Sequence, residues 1–512
     1  MNKRKNISLI LLSILLLPIV LHIGLCFLLY FFEPVSYNAP DLSQADFSFE
    51  MYNKFSKELN DKFYIKQISH NDIVSAPDDI RLKYVDDTIL VISDTDADYN
   101  SMSSLFNSVG GKICGFIDII DFYQVSIENS TYEELTNICS VLSKNDSVKR
   151  VIIDYFEETP VSEISTDDYA EDLFEYDDYY LSMIDAYKAW DLSENITNTV
   201  TVGVFDIPIY SEHQDLTIIN KNEYSVNLLN NELISSMSSH GTHVAGIISA
   251  SDNGNTPGIC SNAKIYSENG INNSISYWIA SVTNMIVNYN IKALNFSMGY
   301  NSFVSVSASL GCENAINYII NENEFFEACL DNLLNNGYEF LLCIAAGNEH
   351  GTELYKTKSP YFTYGDKNIL SYLDILQLFS EKAQQPDALY SLCFTAIDDI
   401  DVRDRIMIVA SCDTNKNISN FSTLGDAVDI AAPGEKIYST GYLFTYEFMS
   451  GTSMATPFVS GAAALLFSID ESLSGAQVKD ILLETSSDRA VSYGFDYPIL
   501  NIGNAVEYVI NN

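Results

Sequence analysis

The segment with the clearest chemical potential is Gly-Thr-Ser-Met-Ala-Thr-Pro at residues 451–457, which runs into an apolar stretch at 458–466. The small residues predict a loop, and the apolar stretch predicts a buried helix that tolerates Pro457 near its start. Ser453 then lies at a helix N-terminus, where backbone N–H groups and the helix dipole stabilise negative charge on an oxygen. The segment therefore offers Ser453 either as a helix cap, a common role for serine, or as a nucleophile.

Two other polar residues lie where apolar runs end or begin. Asp206 follows the apolar run at 199–205, and a carboxylate at the end of a buried strand needs a hydrogen-bonding partner. His240 opens the segment His-Gly-Thr-His-Val-Ala-Gly at 240–246, which predicts a second helix start, and histidine is a natural partner for such a carboxylate. A serine, a base that takes its proton and a carboxylate that orients the base are the parts needed for nucleophilic acyl transfer.

A metal site is the alternative interpretation of the two histidines at 240 and 243. They have no carboxylate ligand in step with them, and no His-Glu-x-x-His motif occurs among the 6 histidines of the chain. The 9 cysteines are scattered without a Cys-x-x-Cys pair, and most are interpreted as buried small hydrophobes. The sequence therefore predicts no metal site of this kind.

The region that must position these residues is 181–512, which alternates strand and helix patterns and predicts a doubly wound α/β domain with a mainly parallel sheet. Such sheets carry their sites at the carboxyl ends of the strands. Two further strand ends of interest are Asn-Phe-Ser-Met-Gly at 295–299 and Ala-Ala-Gly-Asn at 345–348. The segment 351–405 is too long for a connection in this fold and is predicted to be an insertion.

A smaller unit precedes this region. Residues 84–158 follow the pattern strand, helix, two strands, helix, strand, which predicts a ferredoxin-like α+β domain. Residues 33–83 are mixed and polar and are interpreted as a spacer. Residues 159–180 are dense in Asp and Glu, which predicts an exposed acidic linker at a domain boundary.

The N-terminus predicts a membrane segment. Residues 7–32 are uncharged and almost wholly apolar, and as a helix they exceed the roughly 30 Å needed to span a bilayer. The basic tail at 1–6 then stays in the cytoplasm by the positive-inside rule, and the rest of the chain lies outside. We therefore favour an uncleaved single-pass signal anchor in the cell membrane. The alternative is a secreted protein with a long cleaved signal peptide, whose apolar region usually has about 7 to 15 residues.

Charge and composition exclude one class of partner. The net charge is −42 at pH 7 and the pI is about 4.2, whereas a nucleic-acid partner requires a basic surface. Most of this charge is interpreted as a well-solvated surface. Hydrophobic residues make up 47% of the chain, which is enough for sizeable cores and argues against a disordered protein.

Taken together, these motifs resemble those of the subtilisin-like serine proteases, the subtilases of peptidase family S8. The resemblance covers about residues 183–509, and the order Asp, His, Ser is the one found in subtilisin. It rests on the segments at 240–246, 295–299, 345–349, 431–434 and 451–457. It implies a subtilisin-like fold and a serine endopeptidase that cleaves protein or peptide substrates through an acyl-enzyme.

Carried over residue by residue, the resemblance implies Asp206 as the orienting carboxylate, His240 as the general base and Ser453 as the nucleophile. It implies that Asn348 donates its side-chain amide to the oxyanion. It also implies that two segments line the substrate groove, namely Ser297, Met298, Gly299, Ala345, Ala346 and Gly347.

The same resemblance makes the unit at 84–158 an inhibitory prodomain of a zymogen, with release in the acidic linker. Two departures from the family are visible. Ile207 and Pro208 follow Asp206, where the family usually has Ser or Thr and then Gly. The loop at 251–257, where many relatives bind calcium, is short, so calcium stays open while no other cofactor is implied.

Two competing interpretations remain open. The first is a catalytically silent subtilase fold that serves as a binding or sensing module. The second is a non-proteolytic hydrolase with the same triad, which ranks lowest because no Gly-x-Ser-x-Gly elbow occurs in the sequence.

Overall fold

Strand pairing separates the chain into a small antiparallel sheet and a large, mainly parallel one. The computed structural model describes residues 62–66, 68–77, 79–157, 178–220, 239–253, 255–270, 273–298, 312–348, 397–425, 427–492 and 494–512. It also describes the backbone of four short strands at 224–227, 232–235, 361–364 and 367–371. The predicted membrane segment at 7–32, the tail at 1–6, nearly all of the acidic linker and most of the insertion at 351–405 lie outside these residues.

The small unit contains six strands and two helices. They are β1 (Phe63–Tyr64), β2 (Ile73–Ala76), β3 (Asp79–Ser93), α1 (Tyr99–Ser108), β4 (Lys112–Ile117), β5 (Phe122–Ser126), α2 (Tyr132–Leu142) and β6 (Val148–Glu157). Each helix begins where a side chain satisfies free backbone N–H groups: Asp98 accepts from the N–H groups of Asn100 and Ser101, and Thr131 forms a capping box with Glu134.

The strands of the small unit pair in the order β1-β4-β5-β3-β6, and β2 pairs with β3. All of these pairs are antiparallel. The run β3-α1-β4-β5-α2-β6 has the element order predicted for residues 84–158, with β3 and β5 at the centre of the sheet.

The predicted spacer at 33–83 requires a correction. β1 and β2 fall within it, and both are paired strands of the small sheet, as is the beginning of β3. Strands of two and four residues show no readable alternation of apolar and polar side chains, so the sequence pattern could not reveal them. The small unit therefore begins at least as early as β1.

The large domain contains the remaining strands and helices. The strands are β7 (Thr201–Asp206), β8 (Tyr224–Asn227), β9 (Glu232–Ser235), β10 (Lys264–Asn269), β11 (Asn273–Ser274), β12 (Ala293–Phe296), β13 (Leu341–Ala345), β14 (Tyr361–Tyr364), β15 (Lys367–Ser371), β16 (Ile406–Cys412), β17 (Ile430–Pro433), β18 (Ile437–Thr440), β19 (Tyr446–Met449), β20 (Asp488–Ser492) and β21 (Phe495–Ile499). The helices are α3 (Tyr179–Met183), α4 (Ala186–Ser193), α5 (His240–Ser249), α6 (Ile275–Tyr289), α7 (Cys312–Asn335), α8 (Ile400–Arg403), α9 (Thr452–Ile469), α10 (Gly475–Glu484) and α11 (Ile502–Asn511).

The large sheet has the strand order β10-β7-β12-β13-β16-β17-β21-β20 and is parallel except for the β20–β21 pair. This sheet, with the alternating helices, confirms the predicted doubly wound α/β domain. Its register places Asp206 opposite Asn269 and Phe205 opposite Phe296, so the chain leaves β7, β10 and β12 at one edge. The residues that follow these strands therefore meet at that edge.

Helix α9 passes through the core and contacts five strands of the large sheet, namely β7, β12, β13, β16 and β17. Among the described residues it is the helix long and apolar enough to span a bilayer, but 89% of that span is buried inside the protein. It is therefore a core helix, and its first turn places Ser453 at the carboxyl edge of the sheet.

The small unit packs directly against the large domain. β11 extends the small sheet by pairing antiparallel with the end of β6, Asn273 opposite Glu157. The apolar face of the small sheet shares one hydrophobic cluster with α6 and α7, in which the Phe122 and Phe325 rings meet edge to face with centroids 6.4 Å apart. An ion pair of 2.7 Å between Lys149 and Asp331 lies at the same contact.

A buried carboxylate joins the two parts at the start of α6. Asp154 on β6 is fully buried and accepts hydrogen bonds from the backbone N–H of Ser276 at 3.1 Å and from its hydroxyl at 2.7 Å. Gln124 donates to the same carboxylate at 3.2 Å. Burial raises the pKa of Asp154 to about 6, although the hydrogen bonds from Ser276 and Gln124 oppose that shift.

Candidate active site

Asp206 and His240 meet where β7 ends and α5 begins. His240 Nδ1 lies 2.7 Å from Asp206 Oδ1, and the backbone N–H of Ile207 donates to the same oxygen at 2.7 Å. Asp206 is fully buried, and 8% of His240 is exposed. A buried carboxylate at this distance fixes the proton of a neutral imidazole on Nδ1, which leaves Nε2 as an acceptor.

Burial and charge act in opposite directions on the pKa of His240. Burial disfavours the imidazolium, whereas the charge and the hydrogen bond of Asp206 favour it, and the pKa is raised above its usual value. His243 lacks such a partner, and burial lowers its pKa to about 3. Its Nε2 donates to the carbonyl oxygen of Ile437 at 2.9 Å. His243 is therefore neutral and holds structure, while His240 is the imidazole available for proton transfer.

The unusual sequence after Asp206 changes the surroundings of its second oxygen. The Ile207 side chain packs in a hydrophobic cluster and offers no hydrogen-bond donor. Asp206 Oδ2 is buried and has no hydrogen-bond partner within the part of the chain that the structure describes. The hydrogen bonds of the carboxylate are thus concentrated on Oδ1, the atom that holds His240.

Ser453 lies in the first turn of α9 and is half-buried. Its hydroxyl donates to the carbonyl oxygen of Ser297 at 3.0 Å, and the Ser297 hydroxyl donates in return to the carbonyl oxygen of Ser453 at 2.8 Å. This reciprocal pair connects the start of α9 to the end of β12. The Ser453 hydroxyl must turn away from Ser297 before it can donate to Nε2 of His240.

Pro457 leaves the carbonyl oxygen of Ser453 without its usual donor in the helix. In an α-helix the carbonyl of residue 453 would accept from the N–H of residue 457, but proline has none. The Ser453 carbonyl therefore accepts from Ser297 instead. Asn295 donates to the Ser297 hydroxyl at 2.9 Å, and Ser460 donates to Asn295 at 3.0 Å, which returns the hydrogen-bond chain to α9.

Asn348 follows β13 and is fixed through its side-chain oxygen. Asn348 Oδ1 accepts from the backbone N–H and from the hydroxyl of Thr452, both at 3.0 Å. The Thr452 hydroxyl also accepts from the N–H of Gly347 at 3.2 Å. These contacts use the oxygen of the Asn348 amide and leave the Nδ2 group as the donor beside the start of α9, 3.6 Å from where a Gly451 Cβ would stand.

The residues predicted to line a substrate groove are placed in two groups. Ser297 and Met298 follow β12 and expose 2% and 9% of their surface, while Gly299 lies outside the described residues. Ala345 and Ala346 are buried at the end of β13. Gly347 is partly exposed and has a φ of 105°, a backbone conformation that suits glycine.

The surroundings of Asp215 bear on calcium. The Asn253 amide and the Tyr446 hydroxyl both donate hydrogen bonds to its carboxylate, which is 2% exposed. Calcium requires about six to eight oxygen acceptors facing it, whereas this carboxylate faces donors. These residues as arranged do not fit a calcium ion. Among the described residues, no group of three or more His, Cys, Asp and Glu side chains is placed to hold a metal.

Several contributors to this site carry no signal that sequence reasoning used. Thr452 anchors Asn348, and Asn295 with Ser460 supports Ser297. Thr452 and Asn295 lie within the motifs at 451–457 and 295–299, whereas Ser460 lies in the apolar stretch at 458–466, and only contacts across the fold assign all three to the site. Ser239, just before His240, has a φ of 61°, which no local sequence rule predicts for serine.

A buried aspartate–histidine pair and a serine at a helix N-terminus, all at one edge of an α/β sheet, are the parts that serine hydrolases use. Comparison with known proteins specifies the class further. Residues 197–497 match the subtilase family, peptidase family S8. The chain is 26% identical to subtilisin DY from Bacillus licheniformis over 312 residues, which is 60% of this chain and 91% of the relative. It is 29% identical to thermitase from Thermoactinomyces vulgaris over 318 residues, 61% of this chain and 88% of the relative.

Among solved structures the chain is similar to fervidolysin from Fervidobacterium pennivorans, described as a keratinolytic enzyme related to subtilisin. The TM-score is 0.52 at 19% identity, over 86% of this chain and 64% of that one, so this likeness concerns the fold alone. Because the family match covers more than half of the sequence, the chain belongs to the subtilase family of serine endopeptidases.

The opposing influences on His240 predict a titration that does not depend on activity. The imidazole NMR signals of His240 should titrate with a midpoint above 6.5 in the native chain, because Asp206 stabilises the charged form. In Asp206→Asn the midpoint should fall below 6.5, since burial then acts without the opposing charge. His243 should stay neutral down to about pH 3 in both proteins and serves as the internal control. Equal His240 midpoints in the two proteins would contradict the proposed pairing.

Proposed function

We propose that this subtilase cleaves peptide bonds through an acyl-enzyme on Ser453, with His240 as the general base and Asp206 as the carboxylate that orients it. The observation that carries this proposal is the 2.7 Å hydrogen bond between His240 Nδ1 and buried Asp206. It leaves Nε2 free to take a proton, which is the function that a serine nucleophile requires.

In the proposed reaction, the Ser453 hydroxyl turns from Ser297 to His240 and gives up its proton as Oγ attacks the substrate carbonyl. His240 then donates that proton to the departing amine, and Asp206 stabilises the imidazolium between the two steps. The same cycle with water as nucleophile releases the acyl group. The raised pKa of His240 is suited to holding a proton briefly in a buried site.

The oxyanion would be stabilised by two donors. Nδ2 of Asn348 is one, because its amide is oriented by the two hydrogen bonds that Oδ1 accepts from Thr452. The backbone N–H of Ser453 is the other, since the N–H groups of a first helical turn have no partner within the helix. Removing one such donor typically costs about 100- to 1000-fold in rate.

The alternative is a catalytically silent subtilase fold that binds or senses a partner. Loss of catalysis would be expected to appear first at the triad or the oxyanion donor. Asp206, His240, Ser453 and Asn348 are all present, and the Asp206–His240 contact is short and buried. These features favour the enzyme over the silent module.

The triad assignment predicts a graded loss of activity. With a chromogenic peptide substrate, Ser453→Ala should abolish both turnover and labelling by a fluorophosphonate. Asp206→Asn should lower kcat by roughly 10⁴-fold, because the imidazole then adopts the wrong tautomer. Ser472→Ala, which removes an exposed hydroxyl bonded to Asp470, should leave the rate unchanged. Labelling at another serine in Ser453→Ala would refute the nucleophile, and equal rates for Asp206→Asn and the native chain would refute the carboxylate.

We further propose that the small unit is an inhibitory prodomain and that the protein is made as a zymogen. Its β6 ends in an antiparallel pair with β11, where Glu157 lies opposite Asn273, and β11 follows closely in sequence on β10, whose last residue, Asn269, lies opposite Asp206. A chain with this direction is suited to entering the substrate groove by strand addition. Release is proposed within the acidic linker at 159–180, because its density of Asp and Glu predicts an exposed segment, and exposed segments are preferred sites of proteolysis.

Asp154 predicts how retention of this prodomain depends on pH. Its pKa is about 6 in the docked protein, above the ordinary value of 3.8, so docking favours the protonated carboxyl and weakens as the pH rises through 6. The affinity of the cleaved prodomain for the mature enzyme should therefore be higher at pH 5 than at pH 7.5.

The measurement is the inhibition constant of the prodomain at the two pH values. Asp154→Asn should remove most of the difference, because the amide carries no charge at either pH. Asp146→Asn, at an exposed position of the same unit, should retain it. A prodomain that does not inhibit at either pH would refute the zymogen, and an unchanged pH dependence in Asp154→Asn would refute the role of Asp154.

The reaction proposed here uses only the side chains of the triad and the two oxyanion donors. For location, we propose a single-pass protein of the cell membrane, anchored by residues 7–32, with the catalytic domain outside and protein or peptide substrates there. The support is the apolar length of that segment and the basic residues before it.

The proposed topology predicts that the chain fractionates with membranes and that protease added to intact cells releases the catalytic domain. Antibody detection of both fractions provides the measurement, with a cytoplasmic protein as the control for lysis. Recovery of the protein in the medium with an N-terminus near residue 37 would instead establish the secreted alternative.

A further inference from the structure

The turn between β18 and β19 presents two apolar side chains to solvent. Leu443 and Phe444 are 55% and 49% exposed, and they stand next to each other at the tip of this hairpin. Their backbone φ angles are 54° and 65°, in the left-handed region that leucine and phenylalanine rarely adopt. These two large apolar side chains are exposed rather than buried in the core, and their backbone is strained. Backbone strain of this kind is common at functional sites, so the tip is a candidate for function.

The tip is held rigidly despite its exposure. The Phe444 ring packs edge to face against the Tyr210 ring, with centroids 5.5 Å apart, and the Tyr442 ring also packs edge to face against Tyr210, with centroids 5.1 Å apart. Across the base of the turn, the N–H of Gly441 donates to the carbonyl oxygen of Thr445 at 2.7 Å. The two apolar side chains are therefore presented by an ordered turn.

The hairpin is attached to the helix that begins with His240. The N–H of Tyr442 donates to the hydroxyl of Ser239 at 3.0 Å, and Ser239 directly precedes His240. The hydroxyl of Thr440 donates to the carbonyl oxygen of Thr242 at 2.8 Å. Gly246 permits this approach, because a Cβ there would lie 2.2 Å from the Thr440 hydroxyl. The tip therefore has a fixed position relative to His240.

The connections of Ser453 indicate which part of a substrate would reach the tip. Ser453 is hydrogen-bonded to Ser297 at the end of β12, where the acyl half of the substrate is proposed to lie. His240 must give its proton to the departing amine, so the amine half of the substrate has to leave Ser453 next to His240. The hairpin is attached to Ser239, directly before His240, which associates its tip with the amine half.

We propose that Leu443 and Phe444 form an apolar subsite for the substrate residues that follow the scissile bond. The occupant is the leaving half of the peptide, with large apolar or aromatic side chains, and the proposal rests on the proposed function. Apolar surface buried between these side chains and the peptide would stabilise the complex. An exposed but pre-organised apolar tip loses little freedom when it binds.

Transfer of the acyl group to an added amine measures binding in this subsite separately from the chemistry of the triad. A peptide ester acylates Ser453: Oγ bonds to the carbonyl carbon, the ester C–O bond breaks, and the alcohol leaves with the proton from His240. The acyl-enzyme then reacts with water or with an added dipeptide amide. In the second case a C–N bond forms, the bond to Oγ breaks, and Ser453 regains a proton through His240. The ratio of the two products reports binding of the amine in the leaving-group subsite.

The experiment compares Phe-Leu-amide with Gly-Gly-amide as acceptors, using the full chain and its variants Leu443→Asn and Phe444→Asn. Asparagine tolerates the left-handed conformation, so the turn is preserved. Transfer to Phe-Leu-amide relative to water should fall about tenfold in each variant, the size expected when apolar contacts in a pocket are lost. Transfer to Gly-Gly-amide and the rate of ester hydrolysis should be unchanged.

Ile400→Asn provides the matched control, since this residue is 68% exposed on α8 and should alter neither acceptor. Leu443→Gly gives a second variant that accepts the same backbone without a side chain, and it should behave as Leu443→Asn does. If the tip variants keep the native preference for Phe-Leu-amide over Gly-Gly-amide, the subsite is overturned. This holds even if the variants bind lipid vesicles less or self-associate less, since the tip would then bind another partner. Absence of ester hydrolysis in the native chain would instead refute the proposed function.

Discussion

The hydrogen bond between Asp206 and His240 is the interaction on which the proposed chemistry depends. It lies where water is excluded, so a carboxylate and an imidazole that would interact weakly in solvent are strongly coupled. Burial alone would lower the pKa of His240, and the neighbouring charge reverses that direction. The parallel sheet makes the contact possible, because Asp206 leaves β7 at the edge where α5 begins.

The position of Ser453, the proposed nucleophile, depends on a second set of contacts, between the start of α9 and the end of β12. A proline in the first turns of α9 frees the carbonyl of Ser453, and Ser297 occupies it. The hydroxyl of Ser453 is then directed toward the end of β12 and must turn to reach His240. The resting arrangement therefore ties the serine to the end of β12, and the proposed proton transfer requires its side chain to rotate away from Ser297.

Much of the fold followed from the sequence because the relevant signals are local. Apolar runs that end in polar residues predicted the parallel sheet and its edge, and the family match confirmed the fold class. The roles of Asp206, His240 and Ser453 remain predictions, though the structure brings the first two into contact. β1 and β11, each two residues long, are too short for a periodic pattern, and they form because longer strands offer them partners. The cap that Asp154 provides for α6 joins residues 122 apart in sequence, which no local rule can foresee.

The central claim is tested most directly by a crystal structure of the chain after reaction with a peptidyl phosphonate, whose tetrahedral phosphorus imitates the intermediate. The account predicts a covalent bond from Ser453 Oγ to phosphorus and a phosphonyl oxygen within about 3.1 Å of Asn348 Nδ2. It also predicts that His240 keeps its contact with Asp206 while Nε2 faces the modified oxygen. An unmodified Ser453 still donating to Ser297, with phosphorus bound elsewhere or absent, would contradict it.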